Sequence, residues 1–211
     1  EFVFNTSYDF PTRFNGEPDY FDNKDEQDGL LLKTNFVWDS IGLPLIPAKE
    51  RGAGGGHIRF TMARGSMSSH ISEFPTATYK KGHRHGPGAH VIILSGEGYS
   101  LMWPEGEEPR RYDWHPGSMI VPPNLWFHQH FNTGTEPARY LAFKHEGVSI
   151  RNAQGVPKAW ISQRVGGDQI DYADESSVVR DTFTTELAQI GLRPQMDAVY
   201  EAEIADLPPK S

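Results

Sequence analysis

Between His57 and His145 the chain is cut by Gly and Pro into short extended segments, and that rhythm limits what it can fold into. The segments run 57–63, 67–74, 76–81, 89–95, 99–103, 110–114, 118–121, 126–131 and 139–145. Pro75, Gly86-Pro87-Gly88, Pro104, Pro116-Gly117 and Pro122-Pro123 stand between them. Short strands with such turns read as an antiparallel sandwich or barrel, an all-β core. A helix is predicted over Asp174–Ile190, where Val179, Phe183, Leu187 and Ile190 share one face and Gly191 holds the stop position. Ahead of the strands, Gly52, Gly54, Gly55 and Gly56 mark a break. The first fifty residues carry 9 of the 25 aromatics, as in Phe2-Val3-Phe4, Tyr8-Asp9-Phe10 and Asp19-Tyr20-Phe21, without a period of 2 or 3.6. They read as an irregular arm laid over the core or a neighbouring subunit. The chain thus divides into an arm at 1–56, a barrel at 57–165 and an acidic helix and tail at 166–211.

Composition narrows the function classes. A chain of 211 residues can bury roughly 70% of its unfolded surface, so a real core is available. No apolar run approaches the roughly 18 to 20 residues needed to cross a bilayer, so no membrane-spanning role is expected. Of the net charge of -8, ten acidic residues against Arg180, Arg193 and Lys210 place -7 after residue 167, where a solvated face explains it. With that balance and no basic stripe, nucleic acid is not an expected partner. The absence of Cys removes disulfides, thiolate metal sites and cysteine nucleophiles, so any metal must be held by His, Asp or Glu. It also suits the cytosol, and with no secretory pattern at the start a cytoplasmic location is expected. Gly52 to Gly56 lacks the Lys and hydroxyl residue of a phosphate loop, and no G-x-S-x-G elbow supports a serine hydrolase.

The nine histidines carry the strongest chemical signal. His83 and His85 are separated by one residue, so on an extended strand both imidazoles point to one face, about 7 Å apart along the chain. His128 and His130 repeat the arrangement. Two such strands side by side bring three or four imidazoles round one point. A single His-x-His is commonly a polar surface strand, but two copies beside turns in an all-strand segment point to a metal.

The flanking residues resemble the two motifs of the cupin superfamily. The first motif, G-x5-H-x-H-x(3,4)-E-x6-G, is matched from Ala77 through His83 and His85 to Gly96; the second, G-x5-P-x-G-x2-H-x3-N, by Gly117, Pro123, His128 and Asn132, with Leu125 where its second Gly belongs. The resemblance covers roughly residues 57 to 146 and implies a double-stranded β-helix, a small cupin barrel with the metal inside one end. The Glu ligand of most cupins is missing. One register puts Ala89 there and another puts His90, which alternation along the strand would aim away from the centre. The expected ligands are therefore His83, His85 and His128, with His90 as a candidate fourth.

Three neutral imidazoles leave an ion its full charge and, in an octahedral shell, three open positions. Among cupins the segment is most similar to gentisate dioxygenases and related ring-cleaving enzymes, in its His-Arg-His followed by Ala and in Trp126-Phe127-His128-Gln129-His130. That likeness implies Fe(II), a small phenolic or enolic acid bound through adjacent oxygens, and O2 as co-substrate; Mn(II), Zn(II), Ni(II) and Cu(II) are the alternative ions. Two other readings stay open: a cupin isomerase, lyase or decarboxylase that works without O2, and a non-catalytic ligand-binding cupin. His130, on the His128 face, is the candidate catalytic acid or base. Trp126 and His70 are candidate pocket residues, each with the blander role of barrel filler or satisfied polar side chain. His57 and His145 sit at strand ends with nothing further to recommend them. The aromatic arm and open sheet edges suggest a homodimer.

Overall fold

The computed structural model describes residues 26–34, 36–61, 67–86, 88–145 and 150–209. In chain order the strands are β1 (Glu26–Asp28), β2 (Leu31–Lys33), β3 (Ile46–Pro47), β4 (Gly56–Thr61), β5 (Met67–Phe74), β6 (His90–Ser95), β7 (Gly98–Trp103), β8 (Arg110–Trp114), β9 (Met119–Ile120), β10 (Phe127–Asn132) and β11 (Ala138–His145). Helices α1 (Ser177–Gln189) and α2 (Asp197–Asp206) follow. One sheet has the order β1-β2-β4-β5-β11-β6-β9, with β3 also on β4, and the other β10-β7-β8. The expected all-β core with a C-terminal helix is what forms, as two facing sheets.

Three apolar layers hold it together, and each follows from side-chain alternation along the strands. Ile58, Phe60 and Ile71 on the outward face of the large sheet cluster with Leu32 of the neighbouring β2, and Val37, Leu43 and Leu45 pack against them. The described part of the arm is therefore strand and cover together, since β2 pairs in parallel with β4. Phe2-Val3-Phe4, Tyr8-Asp9-Phe10 and Asp19-Tyr20-Phe21 lie outside the described residues. Between the sheets, Phe74, Val91, Ile93, Tyr140 and Ala142 of the large sheet meet Trp114 of the small one. The outer face of the small sheet offers Tyr99 and Phe131, and α1 covers them with Val179, Phe183 and Leu187. Phe183 packs 5.0 Å from Tyr79 and 5.7 Å from Phe131, ring centre to ring centre, and its burial stabilises the appendage by roughly 1.5–3 kcal/mol.

Several expectations are corrected. Residues 76–81 form no strand; Tyr79 makes an isolated bridge to Phe131, and the stretch from Thr78 to His85 lies extended along β10. Ile190 is exposed rather than part of the buried helix face, because the helix has ended at Gln189. A second helix, α2, exists. The acidic appendage is not simply solvated: Asp171 and Glu203 are buried, both pair with Lys81, and Glu203 accepts from the backbone N–H groups of Tyr172 and Ala173.

The two departures from the glycine pattern have a conformational meaning. Ala77 and Leu125 both hold positive φ, 57° and 61°, the left-handed region that Gly enters freely and other residues enter at a cost of about 1–2 kcal/mol. The backbone keeps the glycine conformation where the sequence has lost the glycine.

Candidate metal centre

Backbone pairing brings the histidines together. His83 N–H donates to His128 O at 3.1 Å and His128 N–H to His83 O at 2.8 Å, so the two residues stand directly opposite, and His85 follows two residues on. Ring centres are 4.2 Å apart for His83 and His128, 4.9 Å for His85 and His128, and 5.6 Å for His83 and His85. On its other side the ligand segment pairs with the chain after the barrel: Arg84 N–H donates to Asp168 O and Ile170 N–H to Gly82 O.

The carbonyls set the tautomers. His83 Nδ1 lies 3.1 Å from Lys81 O and His128 Nδ1 3.2 Å from Trp126 O, so each Nδ1–H donates to its carbonyl and each Nε2 keeps its lone pair for a ligand. Burial lowers both rings well below the ordinary histidine pKa, with Arg51 next in effect on His83 and His85 on His128, so both are neutral. One nitrogen from each of the three rings lies within 4.8 Å of the others. Two nitrogens about 2.1 Å from one ion are at most about 4.2 Å apart, so the rings close on a divalent ion by movements on the order of 1 Å. The donor set, the neutral imidazoles of His83 and His128 with their tautomers fixed and the His85 ring beside them, fits such an ion.

Arg51 is one of the residues that the sequence reading missed. It ends the 3-10 turn Lys49–Arg51 before the glycine break, and its guanidinium donates to His83 Nε2 at 2.6 Å, on the nitrogen an ion would take. It also borders a cavity of about 50 Å³ whose walls include His85, His57, Arg59, His70, Lys144 and Trp160. That volume holds roughly three to five water-sized positions, which suits a small ligand. Among the described lining residues, four cationic side chains, Arg51, Arg59, Arg84 and Lys144, stand against one carboxylate, Asp168, which is held by Arg84 Nε at 2.8 Å. Deeper in, Lys80 is fully buried, donating to Ser72 Oγ and, at 3.3 Å, to Tyr140 OH. Burial lowers the Lys80 pKa, while Lys80 and Arg51 together bring Tyr140 down against the upward push of its own burial.

The remaining candidates fall into place separately. His90 is exposed on β6 and stands outside the three-histidine group. His130 is buried behind His128, ring centres 5.7 Å apart, with Nδ1 2.7 Å from Ser100 Oγ, which accepts in turn from Trp114 Nε1–H. Burial first, then Lys80 and Arg51, push His130 down to about 3. Trp126 lies away from the cavity with Arg110 over its ring at 5.3 Å. His70 does face the cavity, its ring 4.8 Å from that of His57. His57 and Arg59 were readable in principle, since alternation on β4 sets both on the cavity face; for Arg51 and Lys80 no local pattern existed.

Two facing β-sheets that hold three convergent histidines beside a cationic cavity define a candidate metal-site scaffold. No family model matches the chain, and no curated protein matches it in sequence. Solved structures resemble parts of it. Oxalate decarboxylase from Bacillus subtilis shares 17% identity over 44% of this chain and 26% of its own length, with a TM-score of 0.41. For the DMSP lyase DddQ from Ruegeria pomeroyi the figures are 26% identity, 40% and 41%, and 0.34. For peruvianin-I from Thevetia peruviana latex they are 13%, 52% and 71%, and 0.41. The chain thus spans about a quarter of the decarboxylase, and likeness of this extent bears on neither substrate nor reaction. Among the described residues, no helix is long and apolar enough to cross a membrane.

Proposed function

We propose that the protein is a metal-dependent enzyme of cupin type acting on a small chelating acid, with oxidative cleavage by O2 as its reaction. The observation that carries this reading is continuity: the cavity reaches the histidine group at His85, and Arg51 touches both the cavity and His83 Nε2. A divalent ion held by His83, His85 and His128 supplies Lewis acidity and, where the ion is Fe(II), an electronic route between substrate and O2. The chain's own residues do the rest. Arg51, Arg59 and Lys144 attract an acid into a chamber with no available carboxylate among its described lining residues. Trp160, Ile150 and Pro157 wall it against water. His130, neutral and fastened to Ser100, backs His128 as a hydrogen-bonding wall and not as an imidazolium.

A second reading, cleavage or decarboxylation without O2, is favoured by Tyr140 and Lys80. Tyr140, brought down by Lys80 and Arg51 and packed against the cavity-lining His70, is suited to relaying protons at the chamber wall for a reaction that involves no oxidation. Elemental analysis of protein purified without a histidine tag, followed by oxygen-electrode assays on phenolic and enolic acids, separates the cases. O2 uptake matching substrate loss supports the first. Turnover under argon sinks it in favour of the second, and a wild-type protein that retains no divalent metal sinks both. His128→Ala is expected to lose both ion and turnover.

A further inference from the structure

We infer that His57, Arg59, His70 and Lys144 form an anion subsite on the large sheet, which holds a second acidic group of the substrate away from the histidine group. The inference rests on the cavity being the substrate chamber, and it narrows the substrate to an acid with two anionic groups.

Register places the four together. His57 and Arg59 alternate on β4; Arg59 stands opposite His70 on β5, and His70 opposite Ala142 on β11, two residues before Lys144. All four therefore point from one face of the sheet, and all four line the cavity. Arg59 Nε is buried with no hydrogen-bond partner, and Ser68 Oγ, on the same face of β5 and opposite Lys144, is another such atom. A buried guanidinium N–H left unpaired is costly, and native structures tolerate it where a water, an ion or a ligand completes the bond. Among the described lining residues the carboxylate is Asp168, and it is engaged by Arg84. The two imidazoles add N–H donors without adding charge, since burial keeps both neutral. A carboxylate accepts from several donors at once, and charge-assisted bonds to Arg are the strong ones.

Calorimetric titration of the metal-loaded protein with succinate, malonate and acetate tests this, with metal content measured on the same samples. Wild type is expected to bind one of the diacids at least about tenfold more tightly than acetate. Arg59→Gln is expected to bring that ratio below about threefold at unchanged metal content, Arg59→Lys to restore part of it, and the surface variant Arg110→Gln to leave it alone. Lys144→Gln serves as the second variant should Arg59→Gln fail to fold, with the same loss expected. A diacid preference that survives these substitutions, or no preference in wild type, overturns the subsite and leaves the metal reading standing. Protein without metal whose diacid binding still depends on Arg59 does the reverse.

Discussion

Replacing Arg51 with Met keeps the aliphatic stem and removes the guanidinium from His83 Nε2. That nitrogen is engaged by a charged donor at 2.6 Å, and a charged hydrogen bond is worth about 1.5–3 kcal/mol. An ion must displace it before it can bind. Removing the competitor should therefore tighten metal binding by about 10- to 100-fold, since 1.4 kcal/mol is a factor of ten. The same variant loses a cation from the cavity wall and should bind acids more weakly, so the two affinities move in opposite directions. Competition titrations of Zn(II) and Mn(II) against a chelator of known strength read the first, and calorimetry with succinate the second. Metal affinity that is unchanged or weaker in Arg51→Met would refute the idea that Arg51 guards the ligand nitrogen.

Acid should weaken the metal-free protein in a defined window. His57, His70, His83, His128 and His130 have folded pKa values below 6.5, so as pH falls the unfolded chain takes up protons first; stability is full above about 6.5 and declines below it, down to about 3 for His130. Each contributes up to about 1.4 kcal/mol per pH unit, which urea melts at pH 7.5, 6.5 and 5.5 will register. Leu125→Gly relieves an exposed residue at positive φ and should raise stability by about 1 kcal/mol in the same melts. Asn132→Ala should lower it by about 2–4 kcal/mol, because the buried amide donates to Pro75 O and Glu136 O and accepts from Gly134 N–H.

The strands were legible because their turns are written in Gly and Pro and their faces in alternation. Met67–Phe74 and Arg110–Trp114 have the bounds that the sequence suggested. The convergence of His83, His85 and His128 was legible for the same reason, since an alternating pair on an extended segment bridged to β10 has little freedom to diverge from the pair on β10. Residues 76–81 misled because a strand needs a partner with matching register, and here β10 offers only intermittent bonds. Helix α2 left no pattern because much of its inward contact is made by Glu203, a polar residue answering two backbone N–H groups. The cavity's chemistry was illegible for a different reason. Arg51 arrives from outside the strand segment and Lys80 from a stretch with no periodicity, and nothing local tells a cation destined for the interior from one destined for water.

Since Asp168 and Ile170 knit to Gly82 and Arg84, the extended segment that bears His83 and His85 is clamped from both flanks, by β10 on one and by the downstream chain on the other. A cut after His145 would leave one rail of that clamp open and free His83 and His85 to wander. That makes the last third of the polypeptide a part of the coordination chemistry despite contributing no ligand.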